Sequence, residues 1–199
     1  VDGTGVAARF NEPSGLTWDA AGYLYVADKA NSTIRKLALA TAAVSTIVGK
    51  SSSFGNADGI GGLARFGGVY AVAADGAGNV YVSDGSNFII RKIVLTTGAI
   101  STVAGTAGVM RSLDGVGGAA RFTVPLALAL DGPDNLYVAD TYNNTIRRVA
   151  LATGTVTTIA GTAGMSGSTD GVAASARFSN PDGIAADGLG NLYVSDGYN

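Results

Sequence analysis

Apolar and polar positions form short runs along this chain, and the second repeat shows the pattern most clearly. Residues 69–75, 80–84, 89–95 and 99–104 are rich in β-branched and aromatic residues, and Gly, Asn, Asp and Thr clusters separate them. Such runs are typical of strands joined by tight turns. No stretch keeps the 3.6-residue apolar period of a helix. The pattern predicts an antiparallel meander of four strands, named A to D in chain order.

This meander recurs with a fixed period of 56 residues. The phrase Ala-Arg-Phe occurs once in each period, and so does the phrase Tyr-Val-(Ala/Ser)-Asp. The closing residues are Phe10, Phe66, Phe122 and Phe178 for the first phrase and Asp28, Asp84, Asp140 and Asp196 for the second. A fixed period in this range is typical of solenoids and propellers. The repeats cover about residues 1–56, 57–112, 113–168 and, in part, 169–199, which we interpret as one segment.

The strands favour a propeller because they are apolar on both faces. Successive residues are apolar, instead of alternating with polar ones, in Leu24-Tyr-Val-Ala and Leu136-Tyr-Val-Ala. A sheet that is apolar on both faces must be covered on both. Stacked four-stranded sheets achieve this in a β-propeller, whereas a β-solenoid usually has shorter rungs. The sequence therefore predicts an all-β protein, a β-propeller of four-stranded antiparallel blades, with three full blades plus strands A and B of a fourth.

Several phrases of the repeat resemble the NHL repeat. They are Pro13-Ser-Gly-Leu, Asn143-Asn-Thr-Ile-Arg-Arg and Gly190-Asn-Leu-Tyr-Val-Ser-Asp. One departure is that Ser32, Phe88 and Asn144 stand where the family has a His. The resemblance implies a β-propeller, often six-bladed, and binding modules outnumber enzymes in the family. An enzyme fragment is the alternative, a lyase or lactone hydrolase whose catalytic residues lie outside this segment.

The fourth repeat is incomplete, and we expect the remaining blades to come from elsewhere. The N-terminus offers no spare strand, so we expect that this chain cannot close a ring alone. Uncovered apolar blade faces and the open strand at residues 192–195 favour pairing with further blades or with other copies of the chain. A head-to-tail contact of this kind gives a ring or a filament. The expected partners are therefore other protein chains.

The amino-acid composition argues against several classes of function. Net charge is −2, charged residues are 14% of the chain, and Cys and His are absent. We therefore expect no nucleic-acid binding, no membrane insertion, no metal, no cofactor and no catalysis. Gly-rich segments such as Gly3-Thr-Gly-Val-Ala-Ala lead into strands, so they are loops and not dinucleotide sites. Most charges follow the 56-residue period, which predicts Asp–Arg pairing and turn capping within each blade.

Residues that break the period are the candidates for a binding face. Trp18 and Tyr70 lie on strand A and are candidates for a channel mouth, although the plainer interpretation, which we favour, is that they fill packing gaps. Phe54 and Arg111 lie in the long D–A loops, which differ most between repeats. In a meander the D–A and B–C loops leave the sheet on the same side. That side is predicted to bind partners.

Two Asn-x-Thr sequons lie in the B–C loops, at Asn31 and Asn143. Such sequons accept N-linked glycans in proteins secreted by eukaryotes. The alternative is that the repeat itself requires Asn at this place. Together with the low charge and the Gly, Ala, Ser and Thr content, the sequons favour an extracellular or cell-surface location and possible glycan attachment.

Overall fold

A computed structural model describes all 199 residues and contains seventeen strands in four antiparallel sheets. There is no α-helix, and the six 3₁₀ turns each span three residues. No helix is therefore long and apolar enough to cross a membrane. The all-β propeller fold expected from the sequence is confirmed.

Three sheets have five strands each and form blades 1, 2 and 3, and the last sheet forms blade 4. The strands of blade 1 are β1 (Gly3–Thr4), β2 (Pro13–Trp18), β3 (Tyr23–Asp28), β4 (Thr33–Ala38) and β5 (Ala43–Gly49). Those of blade 2 are β6 (Gly59–Ile60), β7 (Val69–Ala74), β8 (Asn79–Asp84), β9 (Ile89–Val94) and β10 (Ala99–Ala104). Those of blade 3 are β11 (Gly115–Val116), β12 (Pro125–Asp131), β13 (Asn135–Asp140), β14 (Thr145–Ala150) and β15 (Thr155–Gly161). Blade 4 has only β16 (Pro181–Ala186) and β17 (Leu192–Asp196).

The strand order corrects the expectation of four-stranded blades. In blade 1 the order is β1-β5-β4-β3-β2, so strands A to D form the expected meander and β1 adds a fifth strand beside strand D. Gly3 and Thr4 pair with Val44 and Ala43. Blades 2 and 3 have the same extra strand in β6 and β11, so β1 belongs to blade 1 itself and is not a spare strand for another blade, as expected. Two residues are too short to carry a period-2 signal, which is why the sequence pattern missed this strand.

The A–B turns explain one set of periodic aspartates. The carboxylate of Asp19 accepts hydrogen bonds from the backbone N–H groups of Ala21 and Tyr23, at 3.0 and 2.9 Å. Asp75 accepts from Ala77 and Asn79 in the same way. Gly78 completes the second turn with a φ of 97°, which favours glycine. The predicted turn capping is confirmed at these positions.

The chain divides into two compact units, residues 1–87 with 91–101, and residues 88–90 with 102–199. In the first unit, blade 1 packs on blade 2. Gly15 allows the close approach, since a Cβ there would lie 2.6 Å from the carbonyl oxygen of Tyr70. Ser14 Oγ donates to the same oxygen at 2.8 Å. These contacts align the strands A of the two blades.

The second unit contains blades 3 and 4, and its polar contacts join the two blades near strand A of blade 4. Thr141 Oγ1 donates to the carbonyl oxygen of Pro181 at 2.7 Å. The backbone N–H of Asn180 donates to Asn144 Oδ1 at 2.9 Å. Thr141 is buried, so its hydroxyl requires this acceptor.

Candidate functional site

A buried arginine holds two aspartates in each of the first three blades. Arg35 Nη1 donates to Asp28 Oδ2 at 2.7 Å, and Arg35 Nη2 donates to Asp2 Oδ1 at 2.8 Å. The same two nitrogens also reach the carbonyl oxygens of Arg9 and Val1. The equivalent triads are Asp58–Arg91–Asp84 and Asp114–Arg147–Asp140. The predicted Asp–Arg pairing is therefore confirmed for these residues.

The phenylalanine of each Ala-Arg-Phe phrase covers the buried guanidinium. The Arg35 guanidinium carbon lies 5.0 Å from the centre of the Phe10 ring, and Arg91 lies 4.8 Å from that of Phe66. An aromatic face at this distance attracts a cation. The two periodic phrases are therefore parts of one structural unit, in which strand B supplies the acid and strand C the arginine.

Burial changes how the aspartates of one triad titrate. Burial raises the pKa of Asp140 to about 6, although Asn143, Thr123 and Arg147 donate hydrogen bonds that favour the charged form. Burial acts in the same direction on Asp114 but is outweighed by hydrogen bonds from Thr158 and Arg147, so the pKa of Asp114 is lowered. Because burial raises the folded pKa of Asp140 above its ordinary value, the protonated group favours folding, and that contribution is lost as pH rises through about 6.

The arginines of the Ala-Arg-Phe phrases have a different role from the one predicted. Arg65 Nη1 donates to the carbonyl oxygens of Gly62 and Ala64, at 2.6 and 2.8 Å. These carbonyls belong to, or directly follow, the 3₁₀ turn Gly61–Leu63. Arg9, Arg121 and Arg177 make the same type of contact with their own turns. Asp–Arg pairing does not extend to this set, which instead stabilises the D–A loops.

Both sequon asparagines use their amide groups inside the fold. Asn31 Nδ2 donates to Asp28 Oδ2 at 2.9 Å, and Asn143 Nδ2 donates to Asp140 Oδ2 at 2.7 Å. Asn31 is half-buried and Asn143 is buried. A glycan on either amide nitrogen would occupy the atom that contacts the buried carboxylate. The repeat therefore has its own structural use for Asn at this place.

Hydrogen bonds join the B–C and D–A loops of the second unit into one surface. Asn143 Nδ2 reaches the carbonyl oxygen of Arg111 at 3.2 Å, and the backbone N–H of Gly164 donates to the carbonyl oxygen of Asn143 at 3.3 Å. In blade 4, Asn199 Nδ2 donates to the carbonyl oxygen of Gly167 at 2.7 Å. The two kinds of loop thus lie on the same side of each blade, as the meander predicted.

Exposed apolar and aromatic side chains cover these loops. The loop face, as we call this surface, consists of Val109, Met110, Tyr142, Met165 and Tyr198, all of which are exposed. Aromatic residues and Met are enriched where proteins bind other proteins. Sequence reasoning missed these residues, although one signal was present. Tyr142 and Tyr198 stand one period apart, where the first two repeats have Ala and Ser.

The four predicted binding-face residues lie at separate places. Trp18 pairs with Leu24 next to the A–B turn of blade 1, whereas Tyr70 begins strand A of blade 2, at the loop end. The Tyr70 ring lies 5.2 Å below the ammonium of Lys29. Phe54 and Arg111 are exposed in D–A loops, the first in the first unit and the second beside the loop face. Trp18 and Tyr70 are thus not neighbours, because they occupy opposite ends of strand A.

Comparison with known proteins supports the fold and the repeat. No family profile matches the chain. An NHL repeat-containing protein 2 from Bos taurus is 34% identical over 160 residues, which are 75% of this chain and 22% of that protein. The chain therefore spans about a fifth of the length of this curated relative.

Two solved structures share the fold at lower identity. A protein of unknown function from Bacteroides thetaiotaomicron is similar over 94% of this chain and 45% of its own, with a TM-score of 0.78 and 24% identity. A streptogramin B lyase is similar over 96% of this chain and 50% of its own, with a TM-score of 0.62 and 11% identity. Such likenesses show the fold alone. Together with the repeat phrases and the cattle relative, they establish that the chain belongs to the NHL-repeat β-propeller family.

Proposed function

We propose that this chain is a non-enzymatic propeller scaffold that binds other protein chains. The observation that carries the proposal is the loop face, where five apolar or aromatic side chains are exposed on loops held by hydrogen bonds. An ordered apolar surface loses little conformational entropy on binding, and this favours its use as a binding site. In this scaffold the buried triads fix the loops, and the loops present the contact residues.

The charged residues support the same function. Asp2, Asp28 and Arg35 serve the architecture of blade 1, and the equivalent sets do so in blades 2 and 3. The second candidate function is that of a fragment of a propeller enzyme, a lyase or lactone hydrolase. The observation that favours this candidate is the likeness to a streptogramin B lyase. In that case the catalytic residues would lie outside this segment.

We propose further that the protein works outside the cell or at its surface. The two sequons, the low charge and the small, uncharged side chains of the composition support this location. Of the two sequons, Asn31 is the more accessible acceptor for a glycan. Protein secreted from eukaryotic cells and weighed before and after glycosidase treatment would show whether either asparagine carries one.

A peptide library displayed on phage tests the binding function. The library is selected on the immobilised chain, and enriched peptides are measured by calorimetry against the wild type and against the double variant Met110→Ser/Tyr142→Ser. Loss of two apolar contacts is expected to weaken binding by at least about tenfold. The matched control is Leu39→Ser, an exposed leucine on a C–D turn. Peptides that bind both variants like the wild type would overturn the loop face as the binding site.

A further inference from the structure

An apolar groove on the outward side of blade 1 has no partner within its unit. Six side chains line it over about 190 Å³, and all are apolar: Phe10, Pro13, Leu16, Leu24, Val26 and Leu37. We call it the blade 1 groove. Leu16 is 62% exposed and Phe10 is 38% exposed. An apolar groove of this kind is a feature that soluble proteins normally cover.

The same six positions in blade 2 are completely covered. One period further along the chain they are Phe66, Val69, Val72, Val80, Val82 and Ile93, each at most 5% exposed and all in one core cluster. The residues of blade 1 in the same cluster are Tyr25, Ala27, Ile34 and Val48. The first unit therefore shows which type of surface fits this groove, namely the opposite face of an equivalent blade.

Blade 4 presents the strand A and strand B part of that surface, since its two strands have no counterpart of Ile34 or Val48. Three periods after Tyr25, Gly15 and Ala27 stand Tyr193, Gly183 and Ser195. They line one hollow on the open side of β16 and β17. Tyr193 is 63% exposed, whereas Tyr25 is 1% exposed. The tyrosine that covers blade 2 is thus repeated on blade 4 with nothing packed against it.

Side-chain sizes differ from the template at one position of this pair of surfaces. Between blades 1 and 2, the backbone N–H of Ala74 donates to Thr17 Oγ1 at 3.1 Å. In a contact of blade 4 with blade 1, the equivalent positions are Ala185 and Trp18, so this hydrogen bond has no counterpart. The contact also has to accommodate the indole of Trp18, which is 69% exposed and much larger than the side chain of Ala74.

We propose that two copies of this chain associate head to tail, with the Tyr193 surface of blade 4 in one copy seated on the blade 1 groove of the other. The proposal rests on the proposed function of a scaffold that binds protein chains, and it names a second copy as one such partner. The contact between blades 1 and 2 is its template. The two surfaces differ, so the contact is heterologous and each copy keeps one free surface for the next.

Sedimentation equilibrium over a wide concentration range tests this association. The wild type is expected to form multiples of its 19.7 kDa mass. Leu16→Glu blocks the groove, and Tyr193→Glu blocks the opposite surface. Each substitution places an unpaired carboxylate in the contact and is expected to weaken association about a hundredfold or more. The matched controls, Leu39→Glu and Leu189→Glu, change exposed leucines outside both surfaces and should associate like the wild type.

Mixing the two blocked variants gives the decisive result. Leu16→Glu retains the blade 4 surface and Tyr193→Glu retains the groove, so an equimolar mixture is expected to give a single species of twice the chain mass. Circular dichroism of each variant checks that it is folded. A monomeric wild type would overturn the proposal, and so would normal association of Tyr193→Glu, because it would indicate a groove-to-groove contact. Peptide binding by the loop face is measured separately on monomeric Leu16→Glu, so the two proposals fail independently.

Discussion

Blades 1 and 2 have the same strands and the same buried triad, but their equivalent faces have opposite surroundings. Phe66 and Val72 of blade 2 are covered by blade 1, whereas Phe10 and Leu16 at the same positions of blade 1 are open. Arg35 and Arg91 are nevertheless buried alike, at 2% and 0% exposure. Charge burial is thus a property of each blade alone, and apolar burial depends on the neighbouring blade.

This difference separates two contributions to stability within one repeat. The triad closes through hydrogen bonds between strands B and C and the segment before strand A. Its energy should therefore be similar in every complete blade. The apolar face contributes only where a second blade removes it from water. The chain provides matched pairs of residues, one period apart, with which both statements can be tested.

Replacing the arginine of each triad should have the largest effect, and the same effect in both blades. Arg35→Met and Arg91→Met each leave two aspartates near one another without their cation, and breaking a buried ion pair costs about 3–5 kcal/mol. We expect the free energies of unfolding in urea to fall by amounts that agree within about 1 kcal/mol. A much smaller loss for Arg35→Met would show that the triad depends on the neighbouring blade after all.

Replacing the phenylalanine of the same unit should separate the two blades. Phe66 is fully buried, and truncation of such a side chain to Ala costs about 3–5 kcal/mol. Phe10 is 38% exposed, so Phe10→Ala should cost about 2 kcal/mol less. Both rings lie over an arginine, and the loss of that contact is common to the two variants. Urea unfolding at a concentration where the chain is monomeric measures the difference, and equal losses would contradict it.

The period and the charge pattern could be predicted from the sequence because the same residues recur at the same positions of every repeat. Asp28 and Arg35 recur in register, and this is sufficient to predict their pairing. The two-residue strand Gly3–Thr4 could not be predicted, since its pairing partners are about forty residues away and its length carries no pattern. The separation of Trp18 and Tyr70, by contrast, follows from the sequence, since Tyr70 stands near the start of strand A and Trp18 is equivalent to Ala74 near its end.

The loop face was only partly predictable. The D–A loops and Arg111 were expected there from their length and variation, and the meander placed the B–C loops on the same side. The exposure of Met110 and Tyr142 depends on how each loop folds over its 3₁₀ turn, which is a tertiary property. A sequence that repeats its framework thus predicts the framework well and the surface residues poorly.

The smallest of the three effects compares two glycines, one in the covered contact and one on the open surface of blade 4. In Gly15→Ala the new methyl group would lie 2.6 Å from the Tyr70 carbonyl oxygen and 2.8 Å from the Ala71 Cα, so backbone must shift. Such overpacking costs about 1–3 kcal/mol. In Gly183→Ala the new methyl group would meet the Ser195 hydroxyl, which can rotate away at the loss of its exposed hydrogen bond to Asp182, and the expected loss is about 1 kcal/mol or less.

Thermal unfolding at low concentration measures these two losses, and sedimentation of the same samples adds a second readout. If blade 4 seats on blade 1 as blade 1 does on blade 2, Gly183→Ala has to weaken association although it hardly changes the melting temperature. Gly183 would then do between copies what Gly15 does within the chain, which is to let two strands A approach without a side chain between them. Unchanged association in Gly183→Ala would mean that the open surface of blade 4 does not use the blade 1–blade 2 geometry.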